Sequence, residues 1–431
     1  MRNLHRGTRP ARAVKLAGTL AALLLIAACS KDKNVEQPAK LTPLPAPSLR
    51  VQRVWSAAVD DKKAVALRLG AGISIANDRV YAAGHRGDVV ALDLNTGRTV
   101  WRVRTRAPLA GGTAASEDLV VVGSSDGQLF ALNASDGKTR WKVRLNGELL
   151  APAAIAPKLI AVRTVDGKLH GLSPEDGREL WVQEQQVPRL SLRGTSSPVI
   201  AGDLVLCGFD NGKVLAVNAA DGSVQWEATV TPPHGRTELE RLVDIDSAVS
   251  ISGKDVYVVG FQGRVAMLAL DTGQVWWSHE SSSYRGLTRD DDTLYVADAD
   301  GQVVALKART GAEVWRQSAL KRRRLSALAL MDETIVVGDF QGYVHWLDKA
   351  SGALAARVQS GKVRISNPPV VAGNMVVVIN DRGQITAYRV TPIAGVVATG
   401  AKPVAEKAAP PPAPVPAPAP APTPPPAPES K

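Results

Sequence analysis

Polar and apolar positions alternate along residues 125–141 in a unit that recurs down the chain. Ser125-Asp126-Gly127 is polar. Leu129, Ala131 and Asn133 then alternate with Phe130 and Leu132 at the strand period of two. Ser135-Asp136-Gly137 is polar again, and a second strand ends on Trp141. Each Asp-Gly pair marks a tight turn, since glycine tolerates the positive φ that such turns require. The unit therefore reads turn, strand, turn, strand.

From six of the first-turn glycines, the residue fourteen places on is a tryptophan. Gly87 leads to Trp101, Gly127 to Trp141, Gly167 to Trp181, Gly212 to Trp226, Gly263 to Trp277 and Gly301 to Trp315. Gly342 leads to Ala356, where the aromatic is lost. Steps between these glycines and on to Gly383 are 40, 40, 45, 51, 38, 41 and 41 residues. Strand-rich repeats of that period predict propeller blades of four strands. The tryptophans read as packing between neighbouring sheets. The glycine turns are not phosphate loops, because no helix follows them.

The eighth copy has strands at 375–380 and 384–390 but lacks its last one. Val51-Gln52-Arg53-Val54-Trp55 matches the missing strand without its preceding turn. The expected fold is thus all-β: an eight-bladed propeller of four-stranded antiparallel blades over residues 50–390, closed by the N-terminal strand. Closure hides the sheet edges at the ends of the repeat.

Outside the ring the patterning changes. Arg2, Arg6, Arg9, Arg12 and Lys15 precede the apolar run 16–28, a charged n-region and an h-region too short to span a bilayer. Leu25-Ile26-Ala27-Ala28-Cys29 resembles a bacterial lipobox. That resemblance implies removal of residues 1–28 as a signal peptide and acylation of Cys29; Ser30 in place of Asp implies sorting to the outer membrane. Losing 1–28 removes five basic residues and lowers the formal charge from +11 to +6, which removes most of the case for nucleic acid. Residues 29–49, with Pro38, Pro43, Pro45 and Pro47, read as a lipidated flexible tether. Residues 391–431 form a Pro/Ala-rich tail, expected to be extended and disordered. Cys207 ends the strand pattern Leu204-Val205-Leu206 and is expected to be buried and inert.

The repeat is broken in two consecutive places. Trp-to-glycine spacing is 26 residues after Trp101 and Trp141, but 31 after Trp181 and 37 after Trp226. Both insertions follow an outermost strand, so they should lie side by side on one rim, where binding residues collect. The first contains Leu190, Leu192 and Arg193, either an interface anchor or the start of the next strand. The second contains Asp244 and Asp246, which point the same way if Ile245 is extended. Two carboxylates are too few for calcium; a contact with a basic partner or pairing with Arg193 is expected. A third loop on that rim, Lys321-Arg322-Arg323-Arg324, reads as solvated positive surface that an acidic partner would find.

The segment Ala91-Leu92-Asp93 through Thr96-Gly97 to Trp101 resembles the blade motif of pyrroloquinoline quinone dehydrogenases. Together with the lipobox, the eight repeats, Leu190-Ser191-Leu192-Arg193-Gly194 and Arg241-Leu242-Val243-Asp244-Ile245-Asp246, the chain resembles the BamB family, lipoprotein propellers of the outer-membrane β-barrel assembly machinery. The resemblance implies a non-enzymatic scaffold on the periplasmic face of the outer membrane. It implies contact with the POTRA region of BamA through Leu190, Leu192, Arg193, Asp244 and Asp246, and indirect contact with the other subunits. Unfolded outer-membrane proteins are a further expected partner, through exposed strand edges. The alternative is a quinone-dependent dehydrogenase. Such enzymes often carry adjacent cysteines over the cofactor, and this sequence has none; its six histidines show no zinc spacing. No catalytic residue, cofactor or metal is expected.

Overall fold

The computed structural model describes residues 37–44, 46–59, 72–188, 190, 194–237 and 239–395. The proposed signal peptide, Cys29 and the tail beyond 395 lie outside them. Eight four-stranded antiparallel sheets follow one another around a ring. Blade 1 is built from Ile73–Ala76, Arg79–Ala83, Asp88–Asp93 and Thr99–Arg104; blades 2 to 7 repeat this order through Leu354–Gln359. The first strands of successive blades touch one another and so form the inner wall. Blade 8 takes three strands from the C-terminal part (Val370–Ala372, Met375–Ile379, Gln384–Pro392) and its outer strand, Leu49–Ala58, from the N-terminal part. Val51 faces Val390 and Arg53 faces Tyr388 across that closing pair.

A blade is apolar on both faces, so each needs a neighbour. Among the described residues there is one buried cluster at each of the eight blade-to-blade junctions. The tryptophans pin these junctions. Every one at the repeat position, together with Trp55, donates its indole N–H to a backbone carbonyl in the third-to-outer-strand turn of the next blade, at 2.7–3.2 Å. The ring lies on that turn's glycine: a Cβ on Gly222, at φ 74°, would sit 2.7 Å from Trp181. A one-residue register shift recurs in the outer-strand pairing of each blade, the kind of irregularity that re-aims a side chain.

This arrangement explains the missing aromatic at Ala356. The next blade is the eighth, whose outer strand arrives from the other end of the chain, so no turn exists there to receive an indole. Leu44 and Pro47 lie beside Ala356 instead, and Ser48 N–H donates to Ala355 O at 2.9 Å.

Two expectations need correcting here. The tether over 29–49 is not free along its whole length: Ala39 N–H donates to Lys321 O at 3.0 Å, Leu41 packs on the cluster between blades 6 and 7, and Arg357 donates to Thr42 O. Nor is the Lys321–Arg324 run uniformly solvated. Arg323 is buried at 3% exposure. Its Nε and Nη2 donate to Asp339 Oδ2 and Gln341 Oε1 at 2.8 and 2.6 Å, and its Nη1 donates to Ala39 O at 2.9 Å. His345 Nε2 lies 3.0 Å from the same carboxylate. Burial would raise the Asp339 carboxyl, but His345 and Arg323 outweigh it and hold it below its ordinary value.

Candidate functional rim

Turns between second and third strands, and the connections from one blade to the next, share one face of the ring. Thr105 N–H, in the connection after blade 1, donates to Gly87 O in the turn of that blade at 2.8 Å. Both insertions occur in such connections, after blades 3 and 4, so both stand on this face.

The first insertion leaves the outer strand Glu179–Glu184, and Gln185 N–H is held by Gly167 O at 2.9 Å. Leu190 is 41% exposed. Leu192 and Arg193 lie outside the described residues. The chain is buried again at Thr195 and Ser196.

The second insertion contains a self-capped turn. Glu240 Oε2 accepts from the backbone N–H of Arg236 and Thr237 at 2.7 and 3.0 Å, while Thr237 Oγ1 accepts from Glu240 N–H at 3.2 Å. This reciprocal capping satisfies donors that a short turn leaves open. It presents Leu239 to solvent at 68% exposure. Beyond it Leu242, Val243 and Ile245 turn into the ring. Ile245 packs in the cluster between blades 4 and 5, and Phe261 N–H donates to Asp244 O at 2.7 Å.

Asp244 and Asp246 flank Ile245 and their carboxyl groups meet. The two insertions are joined at the same point. Ser196 Oγ donates to Ser247 O at 2.8 Å, and Gly194 lies so close to Asp246 that a Cβ would come within 2.7 Å of its carboxylate.

Beneath them is a buried charge cluster that sequence reasoning missed. Arg163, at the end of Leu159–Arg163 in blade 3, is fully buried and donates to Asp210, itself buried in the blade 4 turn. Its guanidinium lies 4.5 Å from the centre of the Phe209 ring. Asp244 is also buried, close enough for its charge to act on Arg163. A signal was available. Four residues before each first-turn glycine the eight blades carry Ala83, Gly123, Arg163, Gly208, Val259, Ala297, Gly338 and Ile379, and one charge in that series marks a departure from pure packing. Cys207 is buried beside the cluster, and burial pushes its thiol up to about 11, so it is a poor nucleophile.

Burial pushes the Asp246 carboxyl up to about 7, and the charge of Asp210 adds to this; Arg163, Asp244 and Arg285 pull the other way. The folded chain keeps a proton that the unfolded chain releases, so this group's contribution to stability falls as pH rises from about 3.8 to about 7 and is lowest above that. Asp246→Asn removes the slope. Urea unfolding of the two proteins at pH 4.5 and pH 8 should show the variant gaining on the parent by on the order of 2 kcal/mol at the higher pH. An equal difference at both pH values would refute the assignment.

A family model described as "outer membrane protein assembly factor BamB" matches residues 50–112, 85–317 and 299–391. The chain is similar to the outer membrane protein assembly factor BamB of Pseudomonas aeruginosa, 45% identical over 379 residues, covering 87% of this chain and 99% of that protein. It is 34% identical to that of Bordetella pertussis over 390 residues, covering 90% and 100%. Among solved structures, BamB from Moraxella catarrhalis matches with a TM-score of 0.73 at 28% identity, over 79% of this chain and 100% of that one. The quinohemoprotein alcohol dehydrogenase from Comamonas testosteroni matches with a TM-score of 0.63 at 12% identity, over 79% and 76%; that likeness concerns the ring architecture alone.

Proposed function

The chain belongs to the BamB family of outer membrane protein assembly factors, and on that basis we propose that it is the lipid-anchored scaffold that docks on the periplasmic POTRA region of BamA. It is a non-enzymatic assembly factor associated with the outer membrane. In our reading Cys29 carries the acyl anchor, and the ring stands on the periplasmic face. There it assists delivery, folding and insertion of barrel proteins, reaching other subunits of the machinery through BamA.

One observation carries the docking site. Two lengthened connections stand side by side on one face and are tied to each other through Gly194, Ser196, Asp246 and Ser247. The exposed Leu190 and Leu239 supply apolar contact, and Asp246, partly exposed at the seam between the insertions, favours a basic group on the partner. The residues we assign to the contact are Leu190, Leu192, Arg193 and Asp246; Asp244, expected beside them, is fully buried and supports the rim from beneath instead of touching the partner.

The test is a pull-down of the mature chain against the POTRA region, with Arg193→Ala and Asp246→Ala alongside, each checked for folding. The parent should bind, and each folded variant should bind at least ten-fold more weakly. Binding that survives both changes would move the interface off this rim, and a parent that does not bind would remove BamA as the partner.

A further inference from the structure

The ring face that carries the insertions is also the one from which the N-terminal segment departs. Residues 39–44 and 46–48 run from the connection between blades 6 and 7, where Ala39 bonds Lys321 and Arg323, across the outer strand of blade 7 to Ser48 at Ala355. The leash is thus held to the ring at Ala39. Ala39 lies ten positions after Cys29, a reach of at most about 35 Å when fully extended. An acyl anchor at Cys29 therefore keeps this sector of the ring close to the bilayer.

The sector has the charge for that place. In its turns and connections, from blade 6 round to blade 1, Arg324, Lys362, Arg382, Arg86 and Arg106 are exposed. Among the described residues of the same turns and connections, Asp300 is the exposed carboxylate. Asp339 is buried against Arg323, and Asp381 is half-buried and accepts from Ser366. The insertion side of the same face is mixed: Asp166 and Glu240 are exposed, but so are Arg236 and Arg241, while Asp210 and Asp244 are buried.

We propose that the basic sector between blades 6 and 1 is a bilayer-binding surface for anionic phospholipid headgroups, held against them by the docked segment 39–48. The inference rests on the anchoring of Cys29 proposed above. Each cation near an anionic surface strengthens attraction by about five-fold, and the effect is screened by salt. The docked segment adds a second, geometric constraint, because it prevents the ring from turning its other face to the membrane. The insertion side then remains open to a protein partner.

The test uses the acylated mature protein in vesicles, with a dye on a single introduced exposed cysteine. Ala319→Cys labels the basic sector; Thr310→Cys labels the opposite face of the same blade. Cys207 is buried and stays unlabelled. The vesicles contain phosphatidylethanolamine with 30% phosphatidylglycerol, or phosphatidylcholine alone, and a headgroup-linked nitroxide quencher. The dye at 319 should be quenched several-fold more than the dye at 310 on the anionic vesicles. That contrast should shrink in 0.5 M salt, on neutral vesicles, and in the triple variant Arg324→Glu, Lys362→Glu, Arg382→Glu. Equal quenching at both sites would overturn the proposal. So would a contrast that persists in all three controls, which would leave orientation to the leash alone. Loss of BamA binding in the triple variant, without any quenching contrast in the parent, would make the sector a protein-binding surface and overturn it as well. Flotation of the same samples with neutral vesicles reports the anchor independently, so failure of anchoring and failure of this surface give different results.

Discussion

Arg163→Ala is expected to cost about 3–5 kcal/mol of folding stability, the range for removing one partner of a buried ion pair. The guanidinium has no exposure and is bonded to a carboxylate that is 2% exposed. Without it Asp210 and Asp244 remain buried next to each other and next to Asp246, with no opposite charge at the centre. The loss should be larger at pH 8 than at pH 5, because protonation relieves part of the repulsion at the lower pH. Adding Asp210→Asn should recover a substantial part of the loss, since it removes the orphaned charge rather than restoring the pair. Chemical denaturation of the parent, the single and the double variant at both pH values is sufficient. A loss under 1 kcal/mol, or no recovery in the double variant, would mean that the cluster does not hold the insertions in the way described. Because both insertions rest on this cluster, partner binding should fall with stability.

The second large effect is expected from Trp181→Ala, again about 3–5 kcal/mol. This side chain is buried at the junction of blades 3 and 4, donates to Ala219 O at 3.0 Å and lies on Gly222. Its removal leaves a cavity and an unpaired carbonyl at one junction. In a ring of repeats each blade is stabilised mainly by its two neighbours, so damage at one junction weakens closure of the whole. Val224, on the next blade's outer strand and 51% exposed, is the contrast: Val224→Ala should change stability by less than about 0.5 kcal/mol. Thermal melts that rank the two variants in the reverse order would refute the junction argument.

Most of the architecture was legible because a repeat states the same local rule many times. The Asp-Gly turns, the alternation and the tryptophan offset each fix one element, and their recurrence fixes the ring. Even the exception at Ala356 follows from closure, once the absence of a receiving turn in blade 8 is seen. What escaped was long-range. Arg322, Arg323 and Arg324 are alike as letters, yet Arg323 is buried against Asp339 and His345 from the next blade, whereas Arg324 is exposed. Arg322 and Arg324 adopt positive φ of 59° and 49°, which turns that loop in a way no local pattern of cations announces. The docking of 39–48 was hidden for the same reason: prolines suggest a linker, and the carbonyls they leave free are bound by arginines some 280 residues later, as at Ala39 and Arg323. At the rim, the spacing located both insertions, but Leu239 and the charge cluster beneath them depend on how separate blades meet.

The non-covalent seal in blade 8 also sets an order of events. Ser56 bonds Thr386, 330 residues later, along a pairing that runs from Leu49 with Pro392 to Ala58 with Gln384. Synthesis proceeds from the N-terminus, so the sealing strand is made first and waits for every other blade before it has a partner. Its apolar edge stays uncovered throughout that wait. Any chain cut short before Gln384 is therefore left permanently open, with a mismatched free strand at one end, which makes the last hairpin a built-in mark of a finished molecule.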